Sequence, residues 1–112
     1  MIGNRRYVPE SGDVVWLQFD PQAGHEQAGR RPALVLSAST YNARSGLMLC
    51  CPVTTRIKGY PFEVELAGEP RSVVLADQVR SVDWIARKAR YRTKAAPAEL
   101  AEVKAKARAL IA

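Results

Sequence analysis

Gly12–Phe19 reads GDVVWLQF, and this stretch decides the fold class. Two valines, a tryptophan and a phenylalanine in eight residues favour a strand. Alternation places Val15, Leu17 and Phe19 on one face and Val14, Trp16 and Gln18 on the other. Both faces carry apolar groups, so the strand is expected at the centre of a sheet or covered at an interface. Trp16 and Phe62 are assigned to the core or to a contact between copies. Asp20-Pro21 ends the strand, because proline has no N–H to continue a ladder. The residues before it, 1–11, read as a mobile basic lead-in.

On the other side of Asp20-Pro21 the chain becomes polar. Gly24–Pro32 (GHEQAGRRP) holds the only histidine, His25, together with Glu26, Gln27, Arg30, Arg31 and two glycines. Pro32–Ser37 (PALVLS) is the second strand, with proline at its first residue, and it pairs antiparallel with the first. The connection, residues 20–31, is longer than a hairpin needs, which is about two to five residues. A polar, glycine-hinged loop held between two apolar strands suits anion binding and acid/base work. A solvated hairpin connection is the plainer alternative.

The later chain adds short elements. Ser39–Gly46 suits one helical turn, capped by Ser39 or Thr40 and stopped by Gly46. Leu47–Thr55 is a continuous apolar run and reads as a buried strand, with Pro52 making a kink or bulge. Arg56–Pro61 is a basic turn carrying Tyr60. In Phe62–Leu66, residues Phe62, Val64 and Leu66 point in while Glu63 and Glu65 point out. Val73–Ala76 is a further short strand, and Val79–Trp84 is another or a turn-linked segment. Ala86–Lys94 is basic, either a solvated segment or part of a binding surface. Pro97–Ile111 is a helix, with proline at its start and a stripe of Leu100, Val103, Ala107, Leu110 and Ile111. Its acidic residues come early and its basic ones late, as the helix dipole favours. The sum is mainly β: about five to seven short antiparallel strands and a C-terminal helix, in a small barrel or curved sheet.

Composition bounds the function. The 112 residues suit a single domain, 1–112. A net charge of +6 favours an anionic partner such as nucleic acid or an acidic protein. No apolar run approaches the roughly 20 residues of a membrane span, and the N-terminus lacks the apolar core of a secretory signal. Cys50 and Cys51 are adjacent, point to opposite faces of a strand and cannot readily bridge. With one histidine besides, no metal cluster is expected. The reading is a reduced, cytoplasmic protein without metal or cofactor.

DVVWLQFDP, HEQAGRRPALVLS, CPVTTRIKGYPFEVEL and LADQVRSVDW, in this order, resemble the MazF/PemK family of toxin endoribonucleases. The resemblance spans roughly residues 7–112. It implies the small SH3-like barrel shared with the CcdB toxin, a homodimer, metal-independent cleavage of single-stranded mRNA at short sequences, and inhibition by an acidic MazE-like antitoxin. The family's essential arginine falls on Arg31, its essential threonine on Thr54 and its loop glutamate on Glu26. It also implies that residues 20–31 are displaced or ordered by the antitoxin. Gln18 and Arg30 depart from the residues found in relatives, so the cleaved sequence does not transfer.

The chemistry assigns roles within that frame. Cleavage by the substrate's own 2′-OH needs a base, a forked cation for the phosphorane oxygens and a neutral donor. Arg31 suits the clamp. Thr54 suits the donor, or it holds the arginine. Glu26 is the candidate base and His25 the alternative acid or base. Arg30, Arg56, Lys58, Gln78, Arg80 and Arg87 are candidate RNA contacts, and Tyr60 and Trp84 are candidate stacking rings. The competing functions are a CcdB-like toxin that binds a protein such as DNA gyrase, and an RNA-binding module without activity.

Overall fold

The computed structural model describes residues 6–19 and 29–112. Along the chain run β1 (Asp13–Gln18), β2 (Arg30–Val35), α1 (Ser39–Ser45), β3 (Leu47–Thr54), β4 (Glu63–Leu66), β5 (Ser72–Leu75), β6 (Arg80–Asp83), β7 (Arg90–Lys94) and α2 (Pro97–Ala109). All strand pairs are antiparallel. The order is β4-β5-β3-β2-β1-β7, with β6 also paired to β3. The first strand is interior, as its two apolar faces require, lying between β2 and β7.

Strand β3 turns the sheet on itself. Leu47–Cys50 pair with β6, whereas Val53 and Thr54 pair with β5. Pro52 sits at the changeover. On its other side it faces Ala33 of β2. The Leu36 N–H donates to Leu49 O at 2.8 Å. Ladder bonds alternate from there, so the Ala33–Pro52 pair is not hydrogen-bonded and the proline nitrogen points toward the gap between β6 and β5. The missing donor falls where no ladder bond is required.

Strands β1, β2 and β3 feed two cores, one on each face. Val14, Leu34, Cys51, Val53, Val64, Leu66, Val74 and Val103 of α2 form the first. Val15, Leu17, Ala33, Val35, Met48, Cys50, Val82 and Trp84 form the second. The two cysteines are free thiols in opposite cores. Burial pushes Cys50 up to about 11 and Cys51 up to about 12.

Several expectations change. Residues 6–11 are not a free lead-in. The Tyr7 hydroxyl donates to buried Asp13, Pro9 is buried, and its carbonyl accepts Asn42 Nδ2 at 2.9 Å. Strand β2 starts at Arg30, so Pro32 lies inside it, opposite Trp16. Helix α1 begins after Ala38 with no side-chain cap, and Gly46 stops it at φ 74°. The apolar run of β3 is not buried throughout: Leu47 and Leu49 are 37% and 40% exposed, because alternation turns them outward beyond the first core. The basic segment contains a strand, β7, all of whose residues are exposed. In α2 only Val103 is buried, and Ile111 beyond its end is 86% exposed, since little of the sheet lies under its last turn.

Candidate nucleic-acid interface

Thr54 ends β3 and opens a groove of about 410 Å³ lined also by Arg56, Lys58, Tyr60, Phe62, Glu63, Leu75, Asp77 and Gln78. Thr54 Oγ1 accepts the Arg56 N–H at 3.1 Å. That bond orients the hydroxyl and leaves its proton for a further acceptor. The turn that follows is built around a carboxylate. Glu63 accepts the N–H groups of Lys58 at 3.0 Å and Gly59 at 2.9 Å. Gly59 has φ 81°, a conformation glycine adopts without steric cost. The Glu63 N–H donates to Tyr60 O at 3.1 Å, and Lys106 of α2 donates to Pro61 O. The turn is thereby fixed while its side chains stay on the rim. Tyr60 is 60% exposed, with the Lys58 ammonium 5.8 Å from its ring centroid.

Arg31 joins this rim by register. Ala33 faces Pro52 at the end of the β2–β3 pairing; Arg31 shares the face of Ala33 on β2 and Thr54 that of Pro52 on β3, so alternation directs both side chains to one side of the sheet. Its side chain is exposed. On the neighbouring strand Leu17 faces Arg31 and is fully buried beneath that face. An arginine and a threonine hydroxyl at adjoining strand ends, beside two further cations and an open ring, match what a single-stranded polyanion requires.

Arg80 and Arg87 gather instead on Phe19, with guanidinium carbons 5.4 and 5.1 Å from its centroid. Arg87 Nη1 also donates to Gln18 O at 3.1 Å, so this arginine braces the end of β1. Trp84 is not available for stacking. It is 4% exposed in the second core, and its Nε1 donates to Asn42 O at 2.8 Å. Arg30 does not share the face of Arg31. Adjacent residues of a strand point oppositely, and the Arg30 guanidinium lies 4.2 Å from the Trp16 centroid on the far side of β2. Glu26 and His25 lie outside the described residues. Among the described residues no three side chains of metal-ligating type converge.

Sequence reading missed Glu63, which it assigned to solvent by alternation. The usable signal was a carboxylate four residues after a turn glycine, within reach of the turn's N–H groups.

Comparison with known proteins adds to this geometry. Residues 10–111 match the family model described as the PemK-like, MazF-like toxin of type II toxin–antitoxin systems. The endoribonuclease toxin MazF of Escherichia coli is 55% identical over 107 residues, covering 95% of this chain and 96% of that protein. A crystal structure of MazE–MazF from Deinococcus radiodurans aligns with a TM-score of 0.84 and 49% identity, over 95% of this chain and 97% of that one. MazF alone from the same organism aligns at 0.83 with 56% identity, over 95% of this chain and 98% of that one.

Proposed function

This chain belongs to the PemK-like, MazF-like toxin family of type II toxin–antitoxin systems, and from that premise we propose how its groove acts. It is a MazF-type endoribonuclease toxin whose partner is a MazE-type antitoxin. We infer that its substrate is single-stranded mRNA, that it works in the cytoplasm as a homodimer, and that cleavage uses no metal or cofactor. The observation that carries the reading is the basic groove that Thr54, Arg56, Lys58 and Tyr60 line together, with the exposed Arg31 on the neighbouring strand directed to the same side of the sheet as Thr54.

In this reading the scissile phosphate lies between the two side chains. The 2′-OH attacks phosphorus and gives its proton to Glu26 or His25. The Arg31 fork takes two phosphate oxygens and holds them more strongly as charge grows on them. The Thr54 hydroxyl donates to an equatorial oxygen. The P–O5′ bond breaks, and the leaving oxygen takes a proton from the other of Glu26 and His25. The products are a 2′,3′-cyclic phosphate and a 5′-OH. Arg56 and Lys58 hold flanking phosphates, and Tyr60 stacks on an unpaired base.

Incubation of the purified protein with a long single-stranded RNA in excess chelator tests this. Fragments bearing cyclic phosphate are expected. RNA left intact at every protein concentration overturns it and favours a toxin that acts on a protein target.

A further inference from the structure

Strand β4 is outermost at one end of the sheet and, among the described residues, pairs only with β5. Helix α2 packs on it: Val103 is fully buried in the first core with Val64 and Leu66. Two polar ties flank that contact. Glu99 Oε2 accepts the Ala67 N–H at 2.7 Å, just past the end of β4. Lys106 Nζ donates to Pro61 O, two residues before its start. Glu99, Val103 and Lys106 are spaced four and three residues apart, so they share one face of the helix over about two turns. The helix therefore straps β4 at both ends.

The two ties differ in what they hold. Glu99 also accepts the Ala96 N–H at 2.8 Å, so it serves the start of its own helix. Lys106 reaches the turn on which the groove depends. Pro61 lines that groove beside Tyr60. Between the Tyr60 Cα and the Pro61 carbonyl stand a planar peptide and a proline φ fixed by its ring, so few free torsions separate the tie from the tyrosine ring. Glu63 holds the turn at Lys58 and Gly59, before Tyr60, and Lys106 holds it after Tyr60. The Lys106 ammonium also lies 3.5 Å from the Glu102 carboxylate one turn back, and its side chain is only 30% exposed. Its charge is thus partly balanced, and its donor is directed at the chain's own backbone rather than offered to a phosphate.

We propose that Lys106 is a positioning residue for RNA: through the Pro61 carbonyl it holds Tyr60 on the groove's rim, and so makes the C-terminal helix part of the RNA-binding apparatus. The inference rests on the reading of this groove as the RNA site. Lys106 touches neither the RNA nor the scissile phosphate. Its loss lets the Tyr60–Pro61 segment move, which weakens binding and leaves the chemistry at Arg31 and Thr54 in place.

The test measures affinity and cleavage separately. The affinity probe is the tightest-binding member of a set of uncleavable 2′-O-methyl oligoribonucleotides that tile one long RNA. K106M keeps the aliphatic stem and removes the donor. It should weaken probe binding about fivefold, the scale of one lost hydrogen bond, and raise KM for cleavage about as much while kcat changes less than about twofold. K106R, which can still donate to Pro61, should recover most of the affinity. R108M removes one positive charge from an exposed site on the same helix and should bind as wild type. In a Y60A background K106M should cost little further, because the ring it positions is gone. Unchanged affinity in K106M, an equal loss in R108M, no recovery in K106R, a full additional loss in the Y60A background, or a fall in kcat matching the rise in KM would each overturn the proposal. A wild type that binds the probe in this Lys106-dependent way but cleaves no RNA would count against the nuclease reading and leave the positioning role standing.

Discussion

Arg30 and Arg31 are neighbours in sequence and opposites in surroundings. Arg31 is exposed on the side of the sheet that Thr54 also faces, where a groove wall is held by backbone hydrogen bonds to Thr54 and Glu63. Arg30 is half-buried against an indole on the reverse side of the sheet. The difference follows from strand alternation, since both have the same charge and propensity. One side offers an oriented hydroxyl, an exposed arginine and an open ring. The other offers a guanidinium already stacked. Adjacent arginines of one strand therefore enter two surroundings of different chemistry.

The largest expected separation between the sides is catalytic. Arg31→Ala should slow RNA cleavage about 10³-fold, the scale for loss of a group that binds transition-state charge, whereas Arg30→Ala should slow it less than tenfold. Rates measured under single-turnover conditions decide this, and equal losses would erase the distinction. Glu63→Ala comes next. It removes the acceptor of two turn N–H groups, so Arg56, Lys58 and Tyr60 lose their fixed spacing. RNA affinity should fall about tenfold, as titration by fluorescence would show. The smallest effect concerns the outer strand β7. Hydrogen bonds to Asp13 and Glu10 raise the Lys94 pKa above its ordinary 10.5. The charged form is favoured in the folded state, so the associated stability is fully present below pH 10.5 and is lost as pH rises through the higher folded value. The difference in melting temperature between wild type and Lys94→Met should hold steady from neutral pH to about pH 10 and shrink above it.

Much of the fold was legible because β1, β4 and the early part of α2 follow simple periodicities. Val14, Val15 and Leu17 are fully buried on alternate faces, and Val64 and Leu66 point inward as their spacing requires. What escaped depended on partners distant in sequence. Leu47 and Leu49 look like core until the extent of the sheet beneath them is known. Strand β7 has no apolar alternation, because its ladder with β1 holds it while every side chain is exposed. Trp84 was a candidate stacking ring, since aromatic rings stack on unpaired bases. It is instead core, with an indole N–H satisfied by a carbonyl 42 residues away. Among the candidate site residues, Thr54, Arg56, Lys58, Tyr60 and Gln78 do line one groove. The opposed directions of Arg30 and Arg31 required the register, which places one strand boundary two residues earlier than Pro32 suggested.

The pairing of Arg31 with Thr54 is tested most directly by a double-mutant cycle on cleavage rate, with Arg31→Ala, Thr54→Val and the double variant assayed on one RNA. Side chains that grip the same phosphate are not independent. The double variant should therefore be about as slow as Arg31→Ala alone. Losses that multiply, each variant slowing the other's residual activity by its full factor, would contradict a shared site.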